Sequence, residues 1–242
     1  MIRVCTGWHL AGRALYGNKF LESFARHWPD DVQLHVYTEK PEPMDRGVCR
    51  NVFSIPGASA LGRDLSANPE ACGKSPRAGW KDSERRAGYS FRFDAAKFFK
   101  QCIIPNDAAR DMKDGDVLAW LDGDVVTHAR VPVGFPAALL REDDIAFLGR
   151  APKHTELGFW CVRLGPETRA FLDALARCYI GRGVYELREW HSAFVFDHVR
   201  GMFPAMKQRD LTPGGHGHVF PTSPVGHLLL HNKGQRKGVE KR

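Results

Sequence analysis

A strand, a helix and a second strand open this chain, and that order commits it to an α/β sheet. Ile2–Thr6 is a short apolar strand, followed by the loop Gly7-Trp8-His9. From Gly12 to His27 the apolar residues Leu15, Phe20, Leu21 and Phe24 recur at helical spacing, and the run ends before Trp28-Pro29. Val32–Tyr37 alternates as a strand does. Two strands joined through a helix are expected to lie parallel, connected by a right-handed crossover.

The same alternation continues downstream. Helices are expected over residues 90–104, 166–180 and 189–199, and strands over 116–121, 145–148, 159–164 (this one antiparallel or at an edge) and 228–230. Residues 38–80 break the pattern: Pro41, Pro43, Pro56, Pro69 and Pro76 lie among Gly, Ser and Asn. Most of this stretch reads as a long surface loop with one short strand near Asn51–Ile55. Gly73-Lys74-Ser75 is not a phosphate-binding P-loop, because Asn68 occupies the first glycine position of that motif and no strand precedes it. The expectation is one domain over 1–242: an open, mixed but mostly parallel sheet with helices on both faces, and a basic tail over 232–242.

At 242 residues with 43% hydrophobic and 11% aromatic residues, the chain can bury a substantial core, which excludes wholesale disorder. The six cysteines form no C-x-x-C pair, which excludes zinc ribbons and thioredoxin-type redox sites. They read as reduced thiols of a cytoplasmic protein. No run is long enough to span a bilayer, and Met1-Ile2-Arg3-Val4-Cys5 reads as a strand rather than a leader. The net charge of +7 favours anionic partners such as nucleotides or nucleic acid, and equally suits a mildly basic soluble enzyme.

Two segments carry the chemistry. Leu121-Asp122-Gly123-Asp124 ends the apolar run Val117–Leu121, and His231-Asn232-Lys233-Gly234-Gln235-Arg236-Lys237 follows the apolar run Leu228–Leu230. Alternate residues at a strand end point the same way, and two adjacent carboxylates are costly without a cation between them. With the imidazole of His231 they suit Mn²⁺ or Mg²⁺. Gly234 permits close backbone approach and Lys237 supplies an ammonium for a phosphate. The plain alternatives are a surface turn with two solvated aspartates and a solvated basic tail. Thr6-Gly7-Trp8 and Asp122-Gly123-Asp124 both end strands, so they are expected to share the crevice that such sheets form at their carboxyl edge.

The Asp-x-Asp triplet with the late His-x-x-Gly-x-x-Lys resembles the GT-A glycosyltransferases, especially the glycogenin-like retaining group. Gly238 stands where that group has proline. The resemblance implies a GT-A fold, with Asp122, Asp124 and His231 holding the ion and Asp122 also near the ribose. It implies that Gly234 and Lys237 grip the diphosphate of a nucleotide-sugar, a UDP-sugar being the first choice. It also implies that Thr6, Gly7 and Trp8 hold the nucleoside, with Trp8 stacked on the base. Arg92 and Lys97 would face donor phosphates or sugar hydroxyls, and Glu156 with Gly158 would lie at the donor sugar, Glu156 as a further catalytic candidate. Arg92 and Lys97 equally suit an exposed helix face, and Glu156–Gly158 an ordinary strand entry.

Glu189-Trp190-His191 marks the acceptor side, where Trp190 and His191 would contact an acceptor. It also resembles phage-type GT-A proteins, some of which glycosylate modified bases in DNA; such a protein would act in the host cytoplasm. A capped helix with Trp190 in the core explains the same residues. Retention of configuration is what the resemblance implies; an inverting enzyme would need a base, for which Glu189 and Asp197 are the candidates. The sequence therefore predicts a metal-dependent glycosyltransferase acting on a saccharide or on modified DNA. A nucleotidyltransferase and a non-catalytic nucleic-acid-binding module are the competing readings.

Overall fold

In a computed structural model, residues 1–232 are described. β1 (Ile2–Gly7) leads through a wide helical turn at Arg13–Gly17 into α1 (Asn18–His27), then β2 (Gln33–Thr38) and β3 (Val48–Asn51). Three helices follow, α2 (Ala58–Ala67), α3 (Asp82–Ala87) and α4 (Ala95–Ala108), and then β4 (Val117–Leu121) and β5 (Val125–Thr127). Next come α5 (Phe135–Leu140), β6 (Ile145–Arg150), β7 (Lys153–Arg163) and α6 (Pro166–Ile180). α7 (Ser192–Gly201), β8 (Gln208–Asp210) and β9 (Leu229–His231) complete the described elements. None of the described helices is long and apolar enough to cross a membrane.

Seven strands form one sheet in the order β3-β2-β1-β4-β7-β6-β8. β1 pairs parallel with both β2 and β4, and β7 runs antiparallel to both of its neighbours. Successive residues of β4 point to opposite faces, as the pleat requires. Leu118 and Trp120 join one core with Phe99, Ile103, Phe171, Tyr179 and Phe196 from α4, α6 and α7. Val117, Ala119 and Leu121 join the other with Phe20, Phe24 and Trp28. Phe20 and Phe24 of α1 and Trp28 just past its end stack in sequence at i, i+4 spacing. Pro29 ends the run, and the Trp28 indole N–H donates to the Thr127 hydroxyl at 2.9 Å.

The stretch 38–80 is not one unbroken surface loop, and its short strand lies at Val48–Asn51, just ahead of the expected Asn51–Ile55. Its middle forms β3 and α2, and Leu61, Leu65, Ala71 and Trp80 are buried in the core shared with α4. Gly and Pro hid a short helix whose apolar face needs only Ala58, Leu61 and Leu65. α4 runs past Pro105 to Ala108, β7 begins at Lys153 rather than near 159, and α7 begins at Ser192, leaving Glu189–His191 in the segment before it.

Candidate functional site

The register of two strand pairs builds the site. β4 pairs with β7 so that Leu121 faces Phe159, and the Asp122 N–H then donates to the Gly158 carbonyl at 3.1 Å. β5 and β9 form a separate ribbon in which Val125 faces His231, and the Asn232 N–H donates to the Asp124 carbonyl. The turn after β4 and the end of β9 are thereby brought side by side, although 231 lies far from 124 along the chain. His231 Nε2 sits 3.1 Å from Asp124 Oδ1 and 3.5 Å from Asp122 Oδ2. One donor atom from each of Asp122, Asp124 and His231 lies within 4.8 Å of the others.

The atoms behind this triad hold it in place. Oδ1 of Asp122 accepts from the Trp120 indole at 2.9 Å and from the Gln101 amide at 2.8 Å, which leaves Oδ2 for the cluster. Gln101 is fixed in turn by the Ser192 hydroxyl. Glu156 Oε1 lies 3.2 Å from His231 Nδ1, and its other oxygen lies 3.3 Å from Arg150. Gly158 makes room for the ring: a Cβ there would lie 2.4 Å from His231 Nδ1. Gly123 is required for a similar reason, since a Cβ would lie 2.9 Å from the Trp8 indole.

Burial alone would lower the His231 pKa. The carboxylates of Asp124, Glu156 and Asp122 outweigh it and hold it up at about 9. Asp122 is likewise raised, to about 6, because burial with the charges of Asp124 and Glu156 outweighs the imidazolium and the Trp120 N–H. Three carboxylates thus converge on one imidazole, and the surplus negative charge, with two hard oxygen donors and one nitrogen, fits Mn²⁺ or Mg²⁺.

The triad borders a cleft of about 720 Å³, within the usual size for a small-ligand site. Gly7, Trp8, Tyr16, Glu39, Lys97, Lys100, Gln101, Arg150 and His191 also line it. The two strand ends expected to share a crevice therefore do so. Lys97 is exposed there, its ammonium 5.3 Å from the Phe98 ring centre. Lys100 pairs with Glu39, and burial of the Tyr16 phenol beside Asp124 and Asp122 raises its pKa to about 12.

Other expected residues lie elsewhere or do something different. Thr6 is fully buried and does not line the cleft. Trp8 is 3% exposed, packed edge-on to Phe20 and against Gly17 and Gly123, so it forms a wall and not a platform for a base. Arg92 is turned inward: it grips Glu84 through two nitrogens, donates to the Gly79 carbonyl, faces Glu189 at 3.5 Å and does not line the cleft. Trp190 is 1% exposed, wedged between Phe93 and Tyr185, and is a core residue rather than an acceptor contact. Glu189 and Asp197 do not line the cleft. Asp197 accepts from the Thr155 N–H and hydroxyl and pairs with Arg200. Glu156 borders the cleft but is 2% exposed and engaged with His231 and Arg150, which makes it a positioning group. Gly158 makes room for His231 and does not line the cleft. Gly234 and Lys237 lie outside the described residues.

His191 does reach the cleft, and burial, opposed by Glu189, lowers its pKa to about 4. Several polar lining residues escaped the sequence reading, among them Tyr16, Glu39, Lys100, Gln101 and Arg150. Two carried a usable signal, since Gln101 lies four residues beyond Lys97 on the same helix and Glu39 is the first residue past β2.

No protein-family model matches the chain, and no curated protein matches it either. Solved structures do. Mouse xyloside xylosyltransferase 1 aligns over 99% of this chain and 99% of its own, at 12% identity and a TM-score of 0.51. The bifunctional glycosyltransferase WbbM aligns over 87% of this chain and 38% of its own, at 10% identity and a TM-score of 0.47. The first likeness establishes the fold: the open, mixed, mostly parallel sheet is of the GT-A type.

Proposed function

We propose that the protein is a metal-dependent glycosyltransferase that moves a sugar from a nucleoside-diphosphate donor, a UDP-sugar first among them, to a hydroxyl acceptor. One observation carries this reading. Asp122 Oδ2, Asp124 Oδ1 and His231 Nε2 converge in a cleft at the carboxyl ends of β1, β2 and β4, where sheets of this kind take nucleotides. The mouse protein that shares the fold is by name a xylosyltransferase, which supports sugar transfer as the chemistry.

Held by these three donors, Mn²⁺ or Mg²⁺ would supply positive charge to the diphosphate as the glycosidic bond breaks. The chain's own residues do the rest. Trp120 and Gln101 aim Asp122, and Glu156 keeps the His231 ring turned with Nε2 toward the aspartates. Lys97 adds an ammonium for the leaving diphosphate, the role also proposed for Lys237 with Gly234 beside it. Tyr16 offers a ring to the nucleoside base, and Glu39 a carboxylate to its ribose. His191 remains the acceptor-side residue. Glu39, Asp122, Asp124 and Glu156, the carboxylates of the described cleft, are each ion-paired. Retention of configuration is the proposed outcome, with the acceptor proton passing to a diphosphate oxygen.

The test is a panel of sugar nucleotides with Mn²⁺, following donor hydrolysis and transfer to simple glycosides and to DNA carrying hydroxymethylated bases. One donor is expected to be consumed. Asp124→Ala and His231→Ala should each lower turnover more than about 100-fold with the circular dichroism unchanged. Full turnover in either variant, or salt-sensitive DNA binding that survives Asp124→Ala with no donor consumed, would sink the reading.

A further inference from the structure

A second group of ligand-type side chains is linked to His231 through Glu156 and Arg150, whose guanidinium donates to the His154 carbonyl. His154 comes from β7, and Glu189 and His191 from the segment before α7. Glu189 Oε2 is 3.0 Å from His191 Nε2 and 3.8 Å from His154 Nε2, and one donor atom from each residue lies within 4.8 Å of the others. Such spacing leaves room for an ion about 2 Å from each donor.

Two of the three side chains are aimed by a partner on the opposite atom. His154 Nδ1 faces Asp197 at 3.4 Å, and Asp197 is immobilised by Thr155 and Arg200. This is the carboxylate–imidazole pairing that fixes the tautomer of a metal-binding histidine and leaves Nε2 as the donor. Glu189 Oε1 faces Arg92, which leaves Oε2 for both imidazoles. The His191 ring is held beside Phe91 and Phe98, with centroids 5.3 and 6.1 Å away. The nearby guanidiniums of Arg92, Arg150 and Arg200 each have a carboxylate of their own in Glu84, Glu156 and Asp197. Glu189 and His191 are buried, whereas the His154 side chain is 29% exposed and gives an ion its way in.

We propose that His154, Glu189 and His191 bind a Zn²⁺ ion, with a fourth position open to water. Two imidazoles and one carboxylate are a softer set than the two carboxylates and one imidazole of the first centre, so the two sites select different ions. The inference does not rest on the glycosyltransferase reading.

The experiment uses the full-length, tag-free protein with the first centre silenced by Asp122→Asn and Asp124→Asn. After chelator treatment it is titrated with ZnCl₂ by calorimetry and with Co²⁺ by visible absorption. One Zn²⁺ per chain is expected, together with ligand-field bands of bound Co²⁺. In the same background His154→Ala with His191→Ala should bind none, and Asp197→Asn should weaken binding about 10- to 100-fold. Circular dichroism checks folding; if the alanine pair unfolds, His154→Gln with His191→Gln and the Asp197→Asn titration decide. No Zn²⁺ uptake by the silenced protein, or uptake undiminished in the histidine variants, overturns the proposal and identifies the cluster as a hydrogen-bonded brace. Donor hydrolysis by the unsilenced chain is read separately, so failure of one reading leaves the other standing.

Discussion

At Gly158 the absence of one carbon decides whether the third donor can reach the aspartates. A methyl group there would meet the His231 ring at 2.4 Å and Phe220 at 3.0 Å. Gly158→Ala is therefore expected to keep the fold and to weaken Mn²⁺ binding more than about tenfold, measured by calorimetry. Protonation makes a second prediction. His231, raised to about 9, must release its proton before Nε2 can hold an ion. Uptake should free about one proton between pH 6 and 9, rising toward two below pH 6 where Asp122 is also protonated, and affinity should climb about tenfold per pH unit between those two values. A pH-independent affinity between pH 6 and 8 would contradict the assignment of His231 as a ligand. Asp122, Asp124 and His231 were readable because each closes or follows an apolar run, a linear mark. The roles of Glu156 and Gly158 were not, because they depend on which residue of β7 faces the end of β4. Arg92 was misplaced for the same reason: its partner Glu84 belongs to another element, and helix spacing cannot show it.

Among the elements, α1 shows how periodicity becomes energy. Phe24 is 1% exposed, stacked between Phe20 and Trp28 with the Arg46 guanidinium over its ring. Phe24→Ala should lower the free energy of unfolding by about 3–5 kcal/mol, seen as a shift in the urea midpoint. This helix and its flanking strands were legible because a 3.6-residue apolar period separates two alternating runs. α6 was legible end to end, with Pro166 at its first turn as the start signal. α2 was not, since ten residues containing a glycine carry too few apolar positions to show a period. The start of α7 was placed too early because Trp190 continues the apolar rhythm while its backbone is still outside the helix.

For the whole molecule, the sheet sets the site and the two cores set the sheet. The α/β class, the crevice at the carboxyl edge and the antiparallel or edge character of the strand at 159–164 were legible in the sequence, whereas the insertion of β7 between β4 and β6 depends on long-range pairing that no local pattern encodes. An ion held by β4 and β9 together binds the folded chain and not the unfolded one. Mn²⁺ at about a hundredfold over its dissociation constant should stabilise the protein by about 2.7 kcal/mol, read as a rise in melting temperature. The same addition should leave the Asp124→Ala melting curve where it was.

The pairing of Val125 with His231 also orders events in time. While the polypeptide is being made, the two aspartates emerge long before the imbalance of charge around them can be relieved by a third donor. Ion capture must wait until β9 has been synthesised and zipped onto β5. On the proposed function, a chain would therefore acquire its ion only after this ribbon has closed.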